Sequence, residues 1–208
     1  MMNKLILKAL LLVLVLLLVS CAPKQKSITV DFGSVSPGTS VEKQGKKLTL
    51  TGTGIEVGQR LPETALVDAV SMQPINLQEF KGQVLLLSIV PSIDTKVCEA
   101  QTHYLGEEGD TLPSTVTRIT ISRDTPFAQL RFAEEANLTD IQYLSDYKEG
   151  SFGRSVGLLL DGPRLLARSV VIVDKQGIVR YIQVVPDITH LPDMEKAFLK
   201  AVEFAREP

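Results

Sequence analysis

The chain has 208 residues, of which 44% are hydrophobic and 22% are charged, and its formal net charge is −2 at pH 7. This length and composition suit one substantial hydrophobic core. The chain has no excess of positive charge with which to bind a polyanion, and it has no tryptophan and few other aromatic residues to stack on bases. We therefore expect no nucleic-acid partner.

The first 20 residues have the pattern of an export signal. Lys4 and Lys8 precede an unbroken apolar run from Ala9 to Val19, which is too short to cross about 30 Å of hydrocarbon as a helix. The run closes with Leu-Val-Ser-Cys21, which resembles the lipobox of bacterial lipoproteins, where the cysteine is acylated and becomes the new N-terminus. An ordinary secretory signal followed by an unrelated cysteine is the alternative.

Acylation of Cys21 would make this protein an exported, membrane-anchored bacterial lipoprotein. Ala22 follows the cysteine, which resembles the pattern sorted to the outer membrane, so we expect the periplasmic side of that membrane. The segment that follows, up to Lys46, is rich in Ser, Gly, Lys and Thr and predicts a flexible tether over 21–46. The globular domain is predicted over 47–208. Cys98 is then the only free thiol in an oxidising compartment, and no disulfide within the chain can form.

Strand and helix patterns alternate through the predicted domain. Lys47–Leu50 and Gly54–Val57 flank a Thr-Gly-Thr-Gly stretch and predict an N-terminal β-hairpin. The continuous apolar run Val84–Val90 predicts a strand buried on both faces. Further strands are predicted at Val116–Ser122, Ser169–Asp174 and Ile178–Val185, and helices at Val97–Glu108, Pro126–Ala136 and Pro192–Arg206. This order predicts an α/β fold with a mixed sheet and helices on both faces.

Cys98 falls where the strand Val84–Val90 gives way to a helix. The first backbone N–H groups of a helix have no intrahelical partners, and with the positive end of the helix they stabilise a thiolate. Thr95 lies one helical turn before Cys98, so its hydroxyl can donate to the sulfur or hold a substrate oxygen. Pro91 has no N–H and can wall the pocket. The alternative is that Cys98 is a small buried hydrophobic residue, and its position alone does not decide between the two.

The spacing around this cysteine resembles a known family. Thr95-x-x-Cys98 stands where thioredoxin-like oxidoreductases carry C-x-x-C, so dithiol exchange within the motif is excluded. Pro91-x-x-x-Thr95-x-x-Cys98 resembles the active-site motif of peroxiredoxins, and PSIDTKVC is similar to that of their thiol peroxidase subfamily. Other resembling segments are KLTLTGTGIEVGQRLPETALVD, SRDTPFAQLRF, FGRSVGLLLDGP and LLARSVVIVD. The resemblance runs from about Lys47 to the C-terminus and implies a thioredoxin-like mixed sheet flanked by helices, with an N-terminal β-hairpin.

The resemblance also implies a role for each matching residue. Cys98 corresponds to the peroxidatic nucleophile, Thr95 to the threonine that orients the peroxide, and Pro91 to the proline that shields the pocket. Arg168 matches the arginine that stabilises the thiolate, although an arginine at the start of a strand is ordinarily a solvated end; Arg164 is the less favoured substitute. The thiolate would attack one peroxide oxygen and become a sulfenic acid, while hydroxide or alkoxide leaves.

This chemistry requires no metal, flavin or haem, and we expect no cofactor. His103 and His190 are isolated and lack metal-ligand spacing. A cysteine protease would need a histidine beside Cys98, but His103 lies five residues along the predicted helix and is expected to face away from the sulfur.

The chain departs from the subfamily pattern at the resolving cysteine, which would lie in the segment RFAEEANL, where this chain has Ala133. We expect a one-cysteine cycle in which an external thiol or thioredoxin-like reductant attacks the sulfenic acid directly. Lys96 adds positive charge that would favour the thiolate or an acidic reductant, unless it is simply solvated. A peroxide sensor that oxidises at Cys98 and passes the signal to a partner is the alternative. The resemblance to this family implies a possible homodimer, but no pattern in the sequence indicates an interface.

Overall fold

The central strand of the fold is the apolar run that follows Gln83, and all six of its residues are buried. The computed structural model describes residues 27–207. Its strands are β1 (Ser40–Lys43), β2 (Lys46–Thr51), β3 (Ala65–Asp68), β4 (Pro74–Asn76), β5 (Val84–Ile89), β6 (Val116–Ser122), β7 (Gln142–Ser145), β8 (Leu159–Leu160), β9 (Ser169–Val173) and β10 (Val179–Val184). Its α-helices are α1 (Lys96–Glu107), α2 (Pro126–Glu135), α3 (Ser151–Ser155) and α4 (Met194–Ala205).

Seven of these strands form one mixed sheet in the order β10-β9-β5-β6-β7-β3-β4. The β5–β6 and β6–β7 pairs are parallel, whereas β5–β9 and β9–β10 are antiparallel. Because side chains alternate along a strand, Val84 and Leu86 join one apolar cluster while Leu85 and Leu87 join another on the opposite face. The predicted mixed sheet and thioredoxin-like architecture are confirmed.

The two faces of this sheet are covered differently. The three long helices α1, α2 and α4 all contribute to the apolar cluster on the face of Leu86. The opposite face is covered by the small sheet β1-β2-β8 and by the short helix α3, through residues such as Leu50 and Phe152. The prediction of helices on both faces therefore holds only through a five-residue helix on the second face.

The N-terminal hairpin is present, but with different strands from those predicted. β1 pairs antiparallel with β2, and Gln44 and Gly45 form the turn with φ of 52° and 80°, as a tight hairpin turn requires. The prediction that Gly54–Val57 is the second strand is wrong. Gly52 and Gly54 have φ of 116° and 81° and turn the chain away from β2, whose other edge pairs with β8 instead.

The predicted tether does not extend to Lys46, because the segment from Ser27 onwards is bonded to the domain. The amide of Asp31 donates to the Leu191 carbonyl at 2.8 Å, and that of Val35 donates to the Val184 carbonyl at 3.0 Å. These bonds are made by the main chain, so a composition rich in Ser and Gly does not reveal them. The predicted signal peptide and Cys21 lie outside the described residues. Between residues 27 and 207, no helix is both long and apolar enough to cross a membrane.

The remaining predicted elements lie within a few residues of their predicted bounds, whereas β3, β4, β7, β8 and α3 were not predicted. The predicted strand Val116–Ser122 is β6. Pro126 occupies the first turn of α2, and the Thr125 hydroxyl caps that helix by accepting from the Ala128 amide. α4 begins at Met194 rather than at the predicted Pro192, since the Asp193 side chain caps it by accepting from the Lys196 amide.

Candidate active site

Sheet register brings two distant parts of the chain to one edge of the sheet. Ile89, the last residue of β5, pairs with Ile121 of β6 on one side and with Ser169 of β9 on the other. The chain therefore leaves β5 toward α1 at the same edge where it enters β9. Cys98, in the first turn of α1, and Arg168, immediately before β9, consequently converge.

Thr95 is the N-cap residue of α1, but its side chain does not cap the helix. Its hydroxyl lies 3.0 Å from the Cys98 Sγ and 3.2 Å from the Ser92 carbonyl oxygen. A hydroxyl has one proton, so Thr95 donates to one of these acceptors at a time. Its exposed position places a polar hydrogen at the surface beside a buried sulfur.

Arg168 is 2% exposed and makes three hydrogen bonds. Nη2 donates to the Cys98 Sγ at 3.3 Å, Nη1 donates to Gln101 Oε1 at 2.8 Å, and Nε donates to the Ile188 carbonyl at 2.8 Å. Burial lowers the pKa of Arg168, while the adjacent Cys98 sulfur acts in the opposite direction. All five guanidinium N–H groups are fixed in one plane, so the sulfur is held at a defined position relative to the positive charge.

The buried charge of Arg168 lies directly against the Cys98 sulfur. A buried cation is costly unless an anion compensates it. In the part of the chain that the structure describes, no carboxylate forms an ion pair with Arg168. Among the three groups that accept a hydrogen bond from Arg168, the Cys98 sulfur is the one that belongs to an ionisable side chain.

Gln101 is a further residue of this site, and its part in it was not predicted from the sequence. It is fully buried on α1, three residues after Cys98, and its Nε2 donates to Ser88 Oγ at 2.9 Å while its Oε1 accepts from Arg168. The i, i+3 spacing places Gln101 on the same helix face as Cys98, which is the signal that could have found it. The amide thus ties the guanidinium to the central strand β5.

The loop that leads from β5 to α1 is held by a second residue that the sequence did not single out. The Asp124 carboxylate accepts from Ser92 Oγ at 2.8 Å and from the Ile93 amide at 2.7 Å. Pro91 is buried at the start of this loop. Asp94 is paired on the surface with an arginine of α2 at 2.9 Å. The loop is therefore fixed from the side of β6 and α2.

Within the described residues, Arg164, Lys96 and the two histidines make no hydrogen bond with the Cys98 sulfur. Arg164 is exposed and makes no contact with the sulfur. His103 pairs with Glu107 at 2.8 Å, and His190 lies 3.4 Å from the Asp31 carboxylate. Lys96 is exposed. Within residues 27–207, no group of three or more His, Cys, Asp or Glu side chains could hold a metal ion.

Ala133, at the position of the missing resolving cysteine, is 3% exposed on α2. It belongs to the same buried apolar cluster as Cys98. Cys98 itself has no exposed surface. A substrate would reach the sulfur past the exposed Thr95, and the arrangement offers it a nucleophile, a hydroxyl donor and a permanent cation.

Comparison with known proteins agrees with this geometry. The family model for redoxins matches residues 56–198. A thiol peroxidase of Halalkalibacterium halodurans is 40% identical over 158 residues, which cover 76% of this chain and 94% of that protein. A thiol peroxidase of Bacillus subtilis is 39% identical over 153 residues, which cover 74% and 90%.

Solved structures give the same result for the fold. A peroxiredoxin-like protein from Aquifex aeolicus is similar with a TM-score of 0.75 and 33% identity, over 82% of this chain and 99% of the other. A thiol peroxidase from Chromobacterium violaceum has a TM-score of 0.67 at 21% identity, over 78% and 96%, and supports the fold alone. The match to the redoxin model and the level of identity to the relatives show that this chain belongs to the thiol peroxidase subfamily of the peroxiredoxins.

Proposed function

We propose that this protein is a thiol peroxidase that reduces hydrogen peroxide or small organic hydroperoxides at Cys98 by a one-cysteine cycle. The observation that carries the proposal is the placement of the Cys98 Sγ 3.0 Å from the Thr95 hydroxyl and 3.3 Å from Arg168 Nη2. These groups stabilise negative charge on the sulfur and on the oxygen that leaves.

The first step is nucleophilic substitution at oxygen. The Cys98 thiolate forms a bond to one peroxide oxygen, the O–O bond breaks, and the electron pair leaves with the other oxygen as hydroxide or alkoxide, which takes up a proton from the buffered solvent to give water or alcohol. Sulfur is oxidised to sulfenic acid and the peroxide is reduced. Arg168 and Thr95 remain beside both reacting atoms and can donate to the departing oxygen.

The second half of the cycle needs reductant from outside the chain. Ala133 stands where a resolving thiol would be, so an external thiol or a thioredoxin-like protein attacks the sulfenic acid and releases water. A second thiol then displaces Cys98 from the mixed disulfide and regenerates its thiolate.

Steady-state consumption of peroxide with a panel of thiol reductants tests this function. We expect many turnovers with at least one dithiol or monothiol reductant and none in a Cys98→Ser variant. The mass of the protein after limited peroxide should show a sulfenic acid or a mixed disulfide. An intramolecular disulfide would contradict the one-cysteine cycle.

The absence of a resolving cysteine at Ala133 favours a second candidate, a peroxide sensor on the same fold. A sensor passes its oxidised state to a partner and does not need rapid recycling by a small thiol. The same measurement separates the two functions, because a sensor would consume one equivalent of peroxide and then stop with every reductant in the panel.

We further propose that Cys21 is acylated and anchors the protein at the periplasmic side of an outer membrane. The support is the sequence pattern of Lys4, Lys8, the apolar run and Ser20-Cys21-Ala22. The mass of the mature N-terminal peptide should include the acyl chains, and a Cys21→Ser variant should leave the membrane fraction. A mature protein that starts elsewhere, with an unmodified Cys21, would contradict the anchor.

A further inference from the structure

An apolar patch lies close to the start of the described chain. Val30 is 41% exposed and Phe32 is 77% exposed. They border a hollow of about 140 Å³ whose other lining residues are Tyr104 and Leu191–Glu195. Val30 and Phe32 are the exposed large apolar side chains at this hollow, and contiguous exposed apolar surface is a feature of contact sites.

The patch is held in position by the fold. The Val30 segment forms a parallel bridge with Leu191, and the Leu191 amide donates to the Thr29 carbonyl at 2.8 Å. The carbonyl oxygen of Asp31 accepts from Gln183 Nε2 at 2.7 Å. The backbone immediately before Phe32 is therefore hydrogen-bonded to the rest of the domain.

The short length of chain between Cys21 and Ser27 limits how far the patch can lie from Cys21. Six residue steps separate Cys21 from Ser27, and an extended chain spans at most about 3.6 Å per residue, so the two lie within about 22 Å. A domain of this size has a radius of gyration of roughly 16 Å. A lipid on Cys21 would therefore keep the Ser27 side of the domain, with Val30 and Phe32, beside the bilayer.

We propose that Val30, Phe32 and the hollow they border form a membrane-docking surface that rests on a zwitterionic lipid surface when Cys21 is acylated. Amphipathic residues such as Tyr104 suit the boundary between headgroups and acyl chains. The carboxylates of Asp193 and Glu195 also line the hollow, and they disfavour anionic headgroups. This inference rests on the proposed lipid anchor but not on the peroxidase activity.

The chain has no tryptophan, so a single introduced tryptophan reports on one position. Phe32→Trp is placed in the full acylated protein, reconstituted in phosphatidylcholine vesicles with and without brominated acyl chains. Phe127→Trp is the matched control, since Phe127 is 72% exposed and lies at the start of α2, outside the residues that line the hollow. We expect a blue-shifted emission that brominated lipid quenches for Phe32→Trp, and little quenching for Phe127→Trp.

Equal quenching at both positions, or none at position 32, would overturn the docking surface. A blue shift that depends on protein concentration and is insensitive to brominated lipid would also overturn it, in favour of contact between two copies. The mass of the N-terminal peptide is measured on the same sample. Acylated Cys21 without quenching refutes only the docking surface, whereas unmodified Cys21 refutes both the surface and the anchor. Peroxide turnover should be unchanged in both variants. A loss of turnover in a fully acylated variant would count against the peroxidase proposal, while the quenching result would still decide the docking surface.

Discussion

At the scale of single residues, the reactive sulfur depends on a chain of buried hydrogen bonds. Arg168 contacts Cys98 directly, Gln101 holds Arg168, and Ser88 on the central strand accepts from Gln101. Each link is a buried polar group whose partner cannot be replaced by water at low cost. In the proposed mechanism, Gln101 is therefore a positioning residue that acts on the reaction through Arg168.

A Gln101→Leu variant should weaken catalysis without removing a group that touches the substrate. We expect kcat/KM for peroxide to fall about 10-fold, because the guanidinium loses an acceptor worth about 1–3 kcal/mol and is held less firmly beside the sulfur. Thr102→Val is the matched control, since Thr102 is equally buried on α1 but donates only to the Cys98 carbonyl. If both variants lower kcat/KM equally, Gln101 has only a structural role.

At the scale of elements, the face opposite the long helices depends on close backbone packing. Gly52 follows β2 with φ of 116°, and a Cβ there would lie 1.8 Å from the Arg154 carbonyl oxygen in α3. Gly45, in the hairpin turn, has φ of 80° but no atom within 4 Å of a Cβ. The two glycines therefore separate the cost of backbone conformation from the cost of steric contact.

Gly52→Ala should destabilise the protein far more than Gly45→Ala. We expect the free energy of unfolding to fall by about 3 kcal/mol or more at Gly52, where the backbone has to move, and by about 1 kcal/mol at Gly45, where only the left-handed conformation is disfavoured. Urea denaturation followed by circular dichroism measures both. Similar losses in the two variants would show that the β2–α3 contact is not tight.

The sequence predicted some parts of the site and fold better than others for physical reasons. Pro91, Thr95 and Cys98 lie in one loop and one helical turn, so their spacing alone places them together. Arg168 was identified only through the family resemblance, since its approach depends on the register of β5 and β9. The sequence did not indicate Asp124, because its partners are an amide and a hydroxyl in a different loop, the one between β5 and α1.

At the scale of the whole molecule, the folded unit begins well before the predicted boundary at Lys47. Val41 of β1 is 1% exposed and packs in the core beneath the hairpin. Strand β1 also follows a segment that is bonded to β10 and to the Leu191 loop. Polar composition concealed this contribution, since Val41 is the one buried residue among the four of this strand.

Two truncated chains should differ strongly in stability. A chain that starts at Ser27 keeps every described contact, whereas one that starts at Lys47 loses β1 and the core contact of Val41. Burial of one valine contributes about 1.5–3 kcal/mol, which corresponds to roughly 5–10 °C in Tm for a domain of this size. Calorimetry of the two chains measures the difference. Equal Tm values would show that the residues before Lys47 do not stabilise the domain, as the boundary predicted from the sequence implies.

The single free thiol determines how the protein responds to an excess of oxidant. Cys98 is the one free thiol within the described residues, so in the proposed cycle its sulfenic acid has no partner inside the protein to react with first. Two second-order reactions then compete for it: an arriving thiol restores the resting state, and another peroxide carries sulfur to sulfinic acid, which thiols do not reverse. The ratio of reductant to oxidant in the surroundings, rather than the protein itself, would decide how many molecules survive a burst of peroxide.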